Sequence, residues 1–532
     1  MPDTSAISSE RIDRRLPEGS PTSKWLVTIA VMFGTFLSVM DVTVVNVAMP
    51  HMMGAFGVNL LTITWVSTAY SIAEIIMVTM SAWWSTVLGR KRLFLFSMVL
   101  FITGSILAGT AQTFGQMLLY RVIQGAGGGS LIPVAQAILR ESFPPAEQGM
   151  AMAVYTMGVV LAPAIGPVLG GWLIDRYDWR WVFYINVPIC IAGLAMVSVF
   201  VRDPSYLKRG IKNVDWGGIA LLTIGLATTQ VVLERGQQVD WFASHWIVLG
   251  MAIAVVTLTG LVVWELAQGE PVINLRLLRN VPLTVGSTMG MLVGFALYGT
   301  SFLLPQLTEE LMHYQAFEAG LVLMPRALMM LMVMPIVGRL YNYVSPRLTV
   351  ACGLVMMLVA YWWLSHFSLE VSFWSFLPVL ALTGAGMGAT MVTLSTVSLS
   401  TIEHANMTGA ASLYTLMRRE AGNLAYALLA TVLARRTQDH QAMLVQNINS
   451  FNPAFRQLHS SLSGYLKFGA LNPEPWHNQG MAMVSSMVSR QAQMMAYNDT
   501  IFLLVPLFVL VLPMALLLPR HGYRAPAASS GH

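Results

Sequence analysis

Charge is what this sequence has least of: Asp, Glu, Lys and Arg make up 10% of its 532 residues, against about 25% in a soluble domain. That scarcity excludes an ordinary water-exposed fold. Cysteine is nearly absent as well. The two present, Cys190 and Cys352, lie in apolar runs without a CxxC or Cys/His cluster, so neither a disulfide framework nor a zinc site is indicated. No HExxH, GxSxG or P-loop pattern occurs, which leaves an integral-membrane enzyme without its usual signatures. The formal charge of +5 does not point to nucleic acid, because the basic residues are dispersed at the ends of apolar runs and not gathered on one face.

What the chain has is apolar length, with 55% hydrophobic residues in runs of about 20 that are long enough to span a bilayer. They fall near 25–49, 62–84, 93–111, 115–138, 150–173, 181–201, 215–233, 245–267, 282–304, 318–340, 347–366, 373–398, 409–434 and 499–519. The reading is an all-α integral membrane protein of about fourteen transmembrane helices. The segment before Lys24 is polar and lacks the features of a cleavable signal, so the first run is expected to remain as an anchor.

Lys and Arg collect in cytoplasmic loops. Arg11, Arg14 and Arg15, then Arg90, Lys91 and Arg92, then Arg202, Lys208, Arg209 and Lys212, then Arg276 and Arg279, then Arg339 and Arg347 fall on alternate connectors shared with the N-terminus. The opposite connectors carry chiefly Arg176, Arg180 and Arg235. Both termini are expected to be cytoplasmic, and the long segment 435–498 to lie outside. In that segment Val484, Met487, Val488, Gln491, Met494 and Met495 recur at helical spacing, which suggests an amphipathic helix packed near Met443 to Ile448.

The chain repeats itself. GAGGGS at Gly125 matches GAGMGA at Gly384, Tyr155-Thr156-Met157 matches Tyr414-Thr415-Leu416-Met417, and AWWSTVLGRK at Ala82 takes the place of GRLYNYVSPR at Gly338. Three matches in order at nearly constant separation indicate duplication. The expected architecture is two six-helix bundles in parallel repeat, 25–201 and 282–519, joined by a linker, 202–281, that carries two inserted helices; short tails occupy 1–24 and 520–532. Such bundles alternate access to a midplane site.

Ionisable groups inside spans are costly and face a protein interior or a cavity. Gly34, Ser38 and Asp41 share one face of the first span, Ser67, Tyr70, Ser71, Glu74 and Ser81 one face of the second, and Arg121, Gln124, Gly125 and Gly128 one face of the fourth. Asp41 is the expected proton carrier, with Glu74 as alternative or second carrier and Arg121 as the cation that tunes them. Structural hydrogen bonding is the competing role for each. Trp65, Tyr70, Gln124, Tyr155, Tyr298 and Arg326 are candidate substrate contacts, through stacking, cation–π and polar interactions; the aromatics and the 36 methionines equally suit packing. Arg418, Arg419, Glu420 and Glu265 read as span-end residues.

Several stretches resemble the major facilitator superfamily, specifically its fourteen-span drug:proton antiporters of the EmrB/QacA type. Ala162 to Gly171, with Gly166, Pro167, Gly170 and Gly171, is similar to the antiporter motif gxxxGPxxGG; Arg121, Gln124, Gly125 and Gly127 resemble RxxqGxg; Met40 to Pro50 resembles lDxTvvNvAlP; and WRWVFYINVP from Trp179 resembles the entrance to the sixth helix. ERGQQVDWF, VWELAQGEPVINLRLLRN and RQAQMMAYNDTIFLL are closer to the EmrB branch. The resemblance implies a proton-driven exporter of amphipathic or hydrophobic compounds in the bacterial inner membrane, without a cofactor, working with a periplasmic adaptor and an outer-membrane channel. A fatty-acid, siderophore or metabolite exporter, or a channel, is the alternative reading. One departure stands out: the loop motif keeps Gly89, Arg90 and Lys91 but has Thr86 where the family has an acid, which implies topology anchoring in place of a charge latch.

Overall fold

The structure is a computed structural model that describes residues 21–203, 214–269, 271–446, 448–449, 451–453, 455–458, 460–461 and 476–520. Arg11, Arg14, Arg15, Lys208, Arg209 and Lys212 lie outside them. The first half contains α1 (Pro21–Phe56), α2 (Trp65–Leu88), α3 (Arg90–Thr110), α4 (Phe114–Gly129, continued by Leu131–Ser142), α5 (Gln148–Arg176) and α6 (Asn186–Phe200). Two inserted helices follow, α7 (Trp216–Arg235) and α8 (His245–Ala267). The second half contains α9 (Val281–Gln306), α10 (Ala316–Leu340), α11 (Pro346–Leu364), α12 (Phe373–Ser398), α13 (Met407–Val445) and α14 (Trp476–Phe502, continued by Leu504–Val511).

Local sequence sets the breaks. Gly89 ends α2 with φ of 82°, a conformation that costs glycine nothing, and the chain turns at once into α3. Thr113 and Gln116 form a reciprocal capping box at the start of α4, satisfying two otherwise orphaned amides. Asn280 and Ser345 cap α9 and α11, each followed by a proline within the first turn, where its missing N–H is harmless.

Among the described residues, 13 helices are long and apolar enough to cross a membrane. The expected span at 409–434 is not one of them by hydropathy, because α13 runs for 39 residues and carries Arg418, Arg419, Glu420, Arg435 and Arg436. Buried contacts, not apolarity, hold it in place: it packs on α9, α2 and α14.

The two halves pack alike. In the first, α1 packs on α5 and α6, α2 on α4, and α3 on α4 and α6; in the second, α9 packs on α13 and on the continuation of α14, α10 on α12, and α11 on α12 and α14. Each half has its own apolar core, as expected of duplicated bundles that move against each other. Helix α7 lies over the seam between them, where Leu222 and Leu226 meet Ile75 and Met80 of α2 and Leu413 of α13.

Helix α14 begins before the last apolar run and packs along α13, with His440 2.9 Å from Asp499. Val484 and Met494 are buried as the helical spacing suggests, but Met487 and Gln491 face outward. Ala492 occupies the contact face instead, since a small side chain lets the two helices approach.

Candidate functional site

The deepest polar group of the first half centres on Asp41. Its Oδ2 lies 2.5 Å from Arg121 Nη1, and its Oδ1 accepts from Gln124 Nε2 at 2.8 Å and Asn186 Nδ2 at 2.9 Å. Ser105 Oγ accepts from the same two amides. Arg121 also donates to the Val66 carbonyl at 3.1 Å, and its guanidinium lies over the Tyr70 ring, 4.4 Å from the centroid. Asp41, Arg121 and Gln124 are fully buried. A charge in such a place is tolerated only when paired and hydrogen-bonded, which five helices, α1, α2, α3, α4 and α6, accomplish together.

Close helix crossings make this convergence possible. A Cβ on Gly104 of α3 would lie 2.5 Å from the Gln124 backbone nitrogen, and one on Gly166 of α5 would lie 2.0 Å from Thr43 Oγ1. Gly170 meets Val44 one turn further on, whereas Gly171 has nothing within 4 Å and Pro167 is exposed. The glycines of the antiporter-like motif therefore bring α5 against α1 beside Asp41.

A second ion pair joins the two halves. Glu74 of α2 is paired with Arg419 of α13 and accepts from Ser38 Oγ at 3.3 Å. It is the innermost of a series of contacts along the same helices: Ser85 meets Thr408 at 3.3 Å, and Ser412 donates to the Val78 and Thr79 carbonyls. Close by, Gly149 of α5 abuts Gly338 of α10, and Asn342 donates to the Ala146 carbonyl. The halves are thus closed at the end that carries Arg90. Beyond Glu74, Thr68 of α2 bonds Glu234 of α7, and Gln230 of α7 accepts from Asn423 of α13 at 2.6 Å.

Between the halves, the exposed face of α9 carries Tyr298 and Ser301. Tyr298 packs on Gly422 of α13, and Ser301 bonds Arg326 of α10 at 3.0 Å. This face therefore lies between the two helices through which the second half meets the first. On α1, exposed Asn46 accepts from Ser67 of α2 at 3.2 Å and follows the contact with α5.

The candidate substrate contacts are divided by this geometry. Tyr298 is on the open face; Arg326 is buried behind it and bonded to it through Ser301. Tyr70 is buried under Arg121, Gln124 belongs to the Asp41 group, and Tyr155 is buried with its hydroxyl on the Ile132 carbonyl. Trp65 stacks under Arg235 of α7 at 4.8 Å. Arg419 is not a span-end residue but a mid-helix partner of Glu74, and Glu265 is buried and accepts from the Ile273 amide. Asn186 lies within WRWVFYINVP, which marked a helix entrance and not a partner for Asp41, and Ser105 gave no sequence signal beyond being a single polar residue in an apolar run.

Arg90 does more than anchor topology. It is buried, paired with Glu141 at the end of α4, and donates to the His404 carbonyl of the second half at 2.6 Å. Lys91 donates to the Ser198 carbonyl. Glu141 of another helix supplies Arg90 with an acid inside the first half, and Arg90 itself reaches the second half through the His404 carbonyl.

With this geometry in hand, the comparisons with known proteins are specific. The Major Facilitator Superfamily model matches residues 31–426. The multidrug export protein EmrB of Escherichia coli strain K12 is 31% identical over 488 residues, covering 92% of this chain and 94% of its own. The fatty acid resistance protein FarB of Neisseria gonorrhoeae is 28% identical, with the same coverage. Among solved structures, the human organic anion transporter MFSD10 superposes with a TM-score of 0.57 at 15% identity, over 91% of this chain and 99% of that one; at that identity the likeness concerns the fold. Duplicated bundles, the antiporter-like crossing and these matches agree: the chain is a multi-span secondary transporter and not an enzyme, and it belongs to the Major Facilitator Superfamily, among its EmrB-like members.

Proposed function

We propose that this protein is a proton-driven exporter of amphipathic or hydrophobic small molecules, working by alternating access in a bacterial inner membrane with both termini in the cytoplasm. The observation that carries the reading is the fully buried Asp41–Arg121 pair, set where α5 crosses α1 through Gly166 and Gly170. The names of the relatives, multidrug export and fatty acid resistance, support the substrate class.

A proton that reaches Asp41 replaces the charge of Arg121 as the carboxylate's partner, so proton entry and release of the ion pair are one event. Because α5 packs beside Asp41 and also meets α10 at Gly338, separation of the halves at the closed end disturbs the α1–α5 crossing. Proton binding is thereby tied to which end is open. In this orientation the Arg90 end is cytoplasmic and the structure opens outward. The driving force suffices: one charge moved through ~150 mV supplies roughly 3.5 kcal/mol, a concentration ratio of a few hundred-fold. No bound cofactor is required. The outer part of α13 and α14 is the proposed dock for a periplasmic adaptor leading to an outer-membrane channel.

The test is transport by purified protein in liposomes over a panel of amphipathic compounds, with and without an imposed pH gradient. Accumulation that follows the gradient is the expected result; equal rates with and without it contradict the proposal.

The Glu74–Arg419 pair is expected to hold the closed end shut. Glu74→Gln and Arg419→Gln should each slow export, and the exchange Glu74→Arg with Arg419→Glu should recover much of it, since paired residues couple by about 0.5–3 kcal/mol. Liposome export rates for the four proteins form the check. An exchange variant as slow as the worse single one would show that pairing is not what matters.

A further inference from the structure

Cations inside the two halves are held in different ways. Asp41 neutralises Arg121, and Glu74 neutralises Arg419. Arg326 of α10 is 8% exposed, and among the described residues it has no carboxylate partner. Its hydrogen bonds go to neutral hydroxyls of α9: Nη1 donates to Thr300 Oγ1 and Nη2 to Ser301 Oγ, both at 3.0 Å. Those hydroxyls donate in turn to the Ala296 and Leu297 carbonyls at 2.7 Å, which leaves oxygen lone pairs to hold the guanidinium in one plane.

A guanidinium has five N–H donors, and the two bonds leave the others uncommitted. The buried hydroxyl of Tyr361 on α11 also has no partner. The carboxylates of Glu420 and Glu234 are directed elsewhere, onto Asn423 and onto Thr68 and Gln230. An uncompensated buried charge is strongly destabilising, so an anion brought to this guanidinium gains what the protein's own carboxylates leave unsupplied.

We propose that Arg326, oriented by Thr300 and Ser301, is a subsite for the carboxylate head of an amphipathic anion, entered from the open face of α9 past Tyr298; this rests on the exporter reading above. The planar fork matches a carboxylate bidentately, which an ammonium cannot do. Ser301 is exposed and bonds Arg326 from the open face, which marks the side from which a head group approaches. The tail is left against the Tyr298 ring, which is 38% exposed.

The experiment compares four amphiphiles with one tail and different heads on the full-length protein in lipid nanodiscs: dodecanoate, dodecyl phosphate, dodecanol and dodecyltrimethylammonium. The wild type is expected to bind dodecanoate at least ~10-fold more tightly than dodecanol, the scale of a charged hydrogen bond. Arg326→Gln should remove that preference while leaving dodecanol within about two-fold, and Arg326→Lys should restore only part of it, because the charge returns without the fork. Ser301→Ala, at an exposed position, should weaken dodecanoate a few-fold and keeps the proposal testable if Arg326→Gln does not fold.

Equal binding of dodecanoate and dodecanol by the wild type, or dodecanoate affinity unchanged in both Arg326→Gln and Ser301→Ala, would overturn the subsite. Tighter, Arg326-dependent binding of dodecyl phosphate would overturn the carboxylate assignment in favour of a phospholipid head. The two readings fail separately. A wild type that binds dodecanoate through Arg326 but exports none of the compounds loses the exporter reading, whereas gradient-driven export of the cationic amphiphile with no head-group preference loses only the subsite.

Discussion

Replacing Asp41 with asparagine is expected to abolish gradient-driven accumulation, bringing it from a few hundred-fold at ~150 mV to near equality. The amide keeps the shape but neither carries a proton on and off nor neutralises Arg121. Because Arg121 is fully buried, removal of its counter-charge should also cost about 3–5 kcal/mol of stability, softened where Gln124 Oε1 accepts from it at 2.7 Å. Those two effects are separable. Asp41→Asn combined with Arg121→Gln removes both charges, so it should recover much of the lost melting temperature in detergent while leaving driven accumulation absent. Recovery of both together would mean that Asp41 serves packing and that another group carries the proton.

The second large effect concerns the repeated glycines. A methyl group on Gly125 of α4 would lie 2.3 Å from the Tyr70 carbonyl oxygen of α2, and one on Gly384 of α12 would lie 2.2 Å from the Arg326 carbonyl oxygen of α10. In both cases the obstacle is backbone, which cannot swing aside as a flexible side chain does. The helices must separate, and overpacking of this kind costs about 1–3 kcal/mol or more. Gly125→Ala and Gly384→Ala should therefore lower the yield of folded monodisperse protein and its melting temperature by similar amounts. Gly171→Ala is the contrast, since nothing lies within 4 Å of its added carbon and alanine favours a helix by about 1 kcal/mol; its melting temperature should hold or rise. Unequal losses at Gly125 and Gly384 would show that the two crossings are not energetically equivalent.

The spans and the duplication were legible because hydropathy and repeated Gly-rich motifs are local properties. Asp41, Arg121 and Gln124 were legible for a related reason: polar groups in apolar helices must find one another, and helical spacing shows which of them share a face. Spacing does not show what covers that face. Tyr70 lies on a polar stripe and Tyr155 in a repeated motif, yet both are sealed by neighbouring helices, while Tyr298 stays open. Arg419 was misplaced because Arg418, Arg419 and Glu420 interrupt the apolar run and resemble its end; only the position of Glu74 on another helix explains a charge there. The same holds for Glu141, which meets Arg90 across a distance in sequence that the loop motif does not encode.

The most direct measurement of the central claim is proton movement itself, followed with a pH-sensitive dye trapped in liposomes holding the purified protein, with the membrane potential clamped. Adding an exported substrate to one side should drive protons the opposite way in the wild type, and Asp41→Asn should show no such movement. Substrate transport by the wild type without any proton counter-flow, or counter-flow that persists undiminished in Asp41→Asn, would contradict the account.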